Sequence, residues 1–191
     1  MGLLTREQIV SMGFACVGEN PKLSDKASYY NCEKIIIGNN VRVDDFCVLS
    51  AGSSGIEIGN YIHIAVYSSL IGAGKIKLSD FSNISSRVAI YSSNDDYSGQ
   101  SLTNPMVPEE FTRVEHADVV IGRHVIVGSG SVILPGVTLE EGVAIGALSL
   151  VSKGCKAFGI YAGVPAKRIK ERKRDLLEAE RCLLQRSTPH N

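Results

Sequence analysis

Two adjacent aspartates, Asp95 and Asp96, open a stretch that ends near His116. An unperturbed Asp has a pKa of about 3.9, so it is a weak base at neutral pH. It can still accept a hydrogen bond from an amine, hold the lone pair on target and attract the protonated form. A hydroxyl nucleophile is different: a base must take its proton, and histidine titrates where that base must work. Asp95 therefore suggests an amine as the reacting group, whereas His116 or His63 as base suggests a hydroxyl. Asn94-Asp95-Asp96 is also good turn chemistry, so a solvated turn is the competing reading. No set of side chains has metal-ligand spacing, and no metal is expected. His124 is expected at a solvated strand position and His190 in a terminal tail.

These residues need a scaffold, and the scaffold is written as a repeat of six. Aliphatic residues recur at Ile121, Val127, Ile133, Leu139, Ile145 and Val151. The fifth residue of each cell is small or aliphatic, from Val125 to Cys155. A helix needs a period of 3.6 and a strand a period of 2, so six fits neither alone. It fits a coil of short parallel strands in which each cell is one flat side. Aligned Asn, Ser and Gly suit the corners, which need tight turns and unusual backbone angles. Earlier coils start at Ile37, Ile58 and Leu78, with short insertions between them. The phase is lost from about Asp95 to Asp118, which predicts a loop excursion, and long loops on such scaffolds carry function.

The reading divides the chain into three parts. Residues 1–34 form an N-terminal cap with a short helix from Thr5, where Thr5 and Gln8 make a capping box, to about Met12. Residues 35–165 form the solenoid with the excursion at 95–118. Residues 166–191 form a charged C-terminal helix, from about Ala166 to Arg186, and a tail. The 191 residues carry twenty basic and twenty acidic side chains, which gives no electrostatic case for nucleic acid or a membrane surface. No stretch is long and apolar enough to span a bilayer, and the N-terminus does not read as a signal peptide. Five cysteines without C-x-x-C spacing predict reduced thiols in a cytoplasmic protein.

The phased cells and the closing Ala162-Gly163-Val164-Pro165-Ala166-Lys167 motif resemble the hexapeptide-repeat acyltransferases. The resemblance implies an all-β fold, a left-handed parallel β-helix, usually assembled as a homotrimer with acyl-coenzyme A between neighbouring prisms. The segments around His63, Asn83, Asp95 and Lys167 also resemble the subgroup that N-acylates nucleotide-linked 4-amino-4,6-dideoxy sugars. The implied activity is transfer of an acetyl group from acetyl-CoA to such an amine, for surface-polysaccharide synthesis. The alternatives are O-acetyl transfer to a sugar hydroxyl, with His116 or His63 as base, and a non-catalytic β-helix scaffold.

The same resemblance distributes the roles. Many O-acetylating relatives carry a histidine where Asp95 stands, which makes Asp95 the catalytic candidate for an amine acceptor. Ser85 matches a polar position near the reacting centre, although a serine at a coil corner can be purely structural. His63, Asn83 and Asp96 are candidate acceptor contacts; Asn83 also suits an inward-stacked corner. Ser129, Ala147 and Ser152 match positions that touch pantetheine. Lys167 and Lys170 match basic residues that meet the phosphates of coenzyme A, and otherwise read as a solvated helix face.

Overall fold

The computed structural model describes residues 2–186. The aliphatic residue that opens each cell points inward, because a coil has only one interior. Ile37, Ile58, Leu78, Ile121 and Leu139 form one interior column. Val43, Ile64, Ile84, Val127 and Ile145 form a second, and Leu49, Leu70, Ile90, Ile133 and Val151 a third; none is more than 3 % exposed. The columns are the inner faces of three sheets of six, eight and six strands. Pairing along the three sheets is parallel and in register, as in Val43 with Ile64 and Ile64 with Ile84, except at the last strand of the eight-stranded sheet. The fold is a left-handed parallel β-helix.

The solenoid starts earlier than residue 35. Cys16–Val17, Lys22–Leu23 and Ser28–Tyr30 already pair in parallel with the next coil. Val17, Leu23 and Tyr29 keep the spacing of six, but a tyrosine replaces the third aliphatic residue. Tyr29 packs edge-on against Phe14 at 5.5 Å between centroids. Helix α1, Arg6–Ser11, lies over this first coil with the expected capping box, in which Gln8 N donates to Thr5 Oγ1 and Thr5 N to Gln8 Oε1. Ile9 is its buried residue.

The C-terminal expectation is corrected. Helix α2 spans only Leu176–Arg186. Lys167–Glu171 is instead a strand, antiparallel to Gly159–Ala162. The last coil leaves a row of unpaired backbone groups, and pairing them outweighs the helix propensity of Lys, Arg and Glu. The charged side chains of this strand are all exposed, which suits the edge of a sheet.

The corners hold a second departure. The sequence predicts small residues there, yet Phe46, Tyr61, Tyr67, Phe81, Arg87 and His124 adopt left-handed backbone angles, with φ between 55° and 63°. That conformation costs about 1–2 kcal/mol for a residue with a Cβ. Stacking between coils offsets it: Tyr61 and Phe81 lie 5.0 Å apart at 5°, and Phe81 and His124 5.1 Å apart at 12°. His124 is therefore 8 % exposed rather than solvated, and its Nε2 lies 2.8 Å from Glu180 Oε2 on α2.

Ser82 breaks the apolar pattern of its own corner. Val41, Ile62, Val125 and Val143 occupy equivalent inward sites, and Ser82 takes the same place in its coil. Its hydroxyl is buried and has no hydrogen-bond partner among the described residues. An unsatisfied buried polar group costs about 1–3 kcal/mol. Ser82→Val is thus expected to raise unfolding free energy within that range, read from urea midpoints at constant slope. A lower midpoint would show that the coil has no room for the extra methyl.

Candidate active site at the loop neck

The chain leaves the coil where Ser93–Asn94 pairs antiparallel with Glu115–His116, a two-stranded neck under the loop. The neck is pinned to the coil by Ser92 Oγ donating to Gly74 O at 2.6 Å and Lys75 N donating to Asp118 Oδ1 at 2.8 Å. Gly74 has to be small, since a Cβ there would sit 2.8 Å from Ala117 O. The neck sets Asp95 and His116 on the wall of one cleft of about 610 Å³.

The two aspartates separate into different roles. Asp96 accepts from the backbone of Ser98 at 2.8 Å and of Ser101 at 2.9 Å, so it organises its own loop. Hydrogen bonding by Ser98, its side chain first and its backbone second, holds the Asp96 carboxyl below the usual range. Asp95 is exposed, makes no hydrogen bond or ion pair to another described residue, and faces the cleft. His116 Nδ1 lies 2.8 Å from Ser93 Oγ, which also accepts from Ala73 N at 2.7 Å.

The other candidates stand at a different edge of the prism. Asn83 pairs with His63 in the second sheet, and Ser85 lies two residues on, at the corner before Ala89–Tyr91. Both Asn83 and Ser85 are half-buried, and neither side chain bonds to another described residue. Beneath Ser85 the ladder continues through Gly128 and Gly146, each donating to the next coil. A Cβ on Gly128 would meet Ala147 N at 2.5 Å and one on Gly146 would meet Ala162 Cβ at 2.9 Å, so these two positions carry no side chain. Exposed Ser129 and Ala147 border the same corner. Ser152 is elsewhere: it lines a cleft of about 450 Å³ with His116 and Asn94. Lys167 and Lys170 are exposed on the terminal strand, without an ion pair among the described residues.

Sequence reading missed what holds His63. Asp44, 8 % exposed, takes Arg42 Nε at 2.7 Å on one oxygen and His63 Nε2 at 2.8 Å on the other. Each partner lies on the same sheet, one coil or two residues away, a proximity that only register reveals. Burial pushes the Asp44 carboxyl up, but the bonds and charges of Arg42 and His63 outweigh it and hold it below its ordinary value. A carboxyl depressed on folding stabilises above its unfolded pKa and loses that stabilisation as pH falls through the folded one. Asp44→Asn is therefore expected to destabilise more at pH 7 than at pH 3, measured by urea unfolding. An equal loss at both would remove the ion pair as the cause.

Among the described residues no group of three or more His, Cys, Asp or Glu could hold a metal ion. All five cysteines are free. No helix among the described residues is long and apolar enough to cross a membrane. His190 lies outside the described residues.

Known proteins share this repeat and this fold. The family described as bacterial transferase hexapeptide (six repeats) matches residues 118–153. The dTDP-4-amino-4,6-dideoxy-D-glucose acyltransferase of Escherichia coli is 59 % identical over 180 residues, covering 94 % of each chain. A variant of AntD, an N-acyltransferase from Bacillus cereus, in complex with dTDP and coenzyme A, superposes with a TM-score of 0.92 at 43 % identity. The match covers 97 % of this chain and 99 % of that one. A second AntD variant, with dTDP-4-amino-4,6-dideoxyglucose and coenzyme A, gives 0.91 at 44 %, covering 96 % and 97 %. Repeat, architecture and near full-length identity agree: the chain belongs to the hexapeptide-repeat acyltransferases.

Proposed function

We propose that this protein transfers an acyl group, acetyl in the simplest case, from coenzyme A to the 4-amino group of dTDP-4-amino-4,6-dideoxyglucose. The observation that carries the reading is Asp95, an unpartnered carboxylate in the loop cleft. It accepts a hydrogen bond from the neutral amine and aims the nitrogen lone pair at the thioester carbonyl. The C–N bond forms, the C–S bond breaks, and the amine proton leaves with the coenzyme A thiolate. Ser85 supplies a hydroxyl to the reacting centre, and His63 and Asn83 contact the acceptor. Asp96 belongs to the acceptor side by keeping the loop in shape. Two AntD complexes are variants, one replacing an aspartate and one a serine, the residue types given chemistry here.

The site needs two copies of the chain. Ser152 follows a strand of the third sheet, and Asp95 follows the neck strand Ser93–Asn94 just beyond that sheet's Ala89–Tyr91, whereas Ser85, Ser129 and Ala147 follow strands of the second. A groove between adjacent prisms of a homotrimer brings one edge of each together. Coenzyme A then lies along the corner of Gly128 and Gly146, with pantetheine on Ser129, Ala147 and Ser152 and phosphates on Lys167 and Lys170. The setting is cytoplasmic synthesis of surface polysaccharide, where the sugar nucleotide and acyl-coenzyme A are both present.

A second reading has one observation in its favour: His116 shares the cleft with Asp95. It would serve as base for a hydroxyl. A thiol-release assay with acetyl-CoA decides between them, using dTDP-4-amino-4,6-dideoxyglucose and the matching 4-hydroxy sugar nucleotide. Release with the amine alone supports the N-acyl reading; release with the hydroxyl transfers the chemistry to His116 or His63; silence with both overturns the acceptor.

A further inference from the structure

We propose that Arg113 binds the diphosphate of the nucleotide-sugar acceptor; the inference rests on the N-acyltransferase reading. Arg113 lines the cleft of about 610 Å³ and a neighbouring one of about 290 Å³, and the only other residue common to both is Asp95. The two side chains thus form the ridge between the clefts. The neck fixes this arrangement, since Asn94 pairs with Glu115 and carries Asp95 alongside the segment that bears Arg113. Both side chains are exposed, and neither has a hydrogen bond or ion pair to another described residue. An anion and a cation side by side, not closed on each other, fit one ligand that carries both charges.

The acceptor is such a ligand. Its 4-amino group and its 1-diphosphate stand on opposite carbons of one sugar ring. An amine held by Asp95 therefore places the diphosphate one ring away, within the same pair of clefts. Coenzyme A does not fit the position, because its diphosphate lies a whole pantetheine arm from the thioester. A guanidinium suits this place because its planar fork meets two phosphate oxygens at once and stays charged at any working pH.

The test uses the full-length protein and the variants Arg113→Ala and Arg113→Lys. Binding of dTDP is measured by equilibrium dialysis, and KM for each substrate by thiol release. Arg113→Ala is expected to weaken dTDP binding and raise KM for the sugar nucleotide by about tenfold to a hundredfold, the range of a charged hydrogen bond. KM for acetyl-CoA stays unchanged. Arg113→Lys recovers part of the loss, since it keeps the charge without the fork. Unchanged dTDP binding overturns the proposal, as does a rise confined to KM for acetyl-CoA. Wild-type protein that binds dTDP through Arg113 but releases no coenzyme A upholds the phosphate contact and overturns the acceptor reading.

Discussion

Asp95→Asn is expected to lower kcat on the amino sugar nucleotide by about 10²- to 10⁴-fold, the range that a positioned proton-handling side chain contributes. Asparagine keeps the shape and an acceptor oxygen but loses the charge, so it neither attracts the ammonium form nor orients the neutral amine as firmly. Asp95 is exposed and bonds to no other described residue, so the substitution leaves the fold intact. Its thermal midpoint should move by no more than an ordinary surface change, within about 0.5 kcal/mol. The loss falls on kcat rather than on KM for acetyl-CoA. Turnover at the wild-type rate would remove Asp95 from the reaction and leave His116, on the same cleft wall, as the group to replace next.

The largest expected effect on stability lies in the middle of the stack. Ile64 is fully buried and pairs with Val43 on one side and Ile84 on the other. Ile64→Ala removes three carbons from a column that cannot slide inward, because its neighbours are fixed by ladder hydrogen bonds. The expected cost is about 2–5 kcal/mol, measured by urea unfolding. In a solenoid each coil touches only its neighbours, so the loss should be confined to adjacent coils in hydrogen exchange. A cost below about 1 kcal/mol would show that the column closes over the gap after all.

Much of the scaffold could be read from the chain because one chemical property repeats at one spacing. Each cell must bury its leading aliphatic residue, and from Ile37 to Val151 every such residue of the three columns is buried. What could not be read depends on neighbours in the next coil. The stacked rings of Tyr61, Phe81 and His124 look like unrelated residues until the coils are in register. The same holds for Arg42 and Asp44 around His63. Lys167–Glu171 misled for another reason: its residues favour a helix, and only the open edge of the last coil makes it a strand. At the site, loss of phase marked the loop, and unusual residue types marked Asp95 and His116. Arg113 gave no such signal, since an arginine in a polar loop is ordinary until its lack of a partner is seen.

The two ends of the prism bear on solubility. A stack of parallel strands with both ends open is a template for the next chain, and growth of that kind leads to fibrils. Here α1 and an antiparallel bridge between Leu3 and Ser24 cover the start. At the finish, Lys167–Glu171 reverses direction, so the second sheet ends in a charged strand that cannot prolong the parallel ladder. Arg172 ties that strand down through His124 O at 2.7 Å and Gly142 O at 3.0 Å. Polymerisation is thus held off by a few terminal contacts rather than by the repeat, which by itself has no reason to stop.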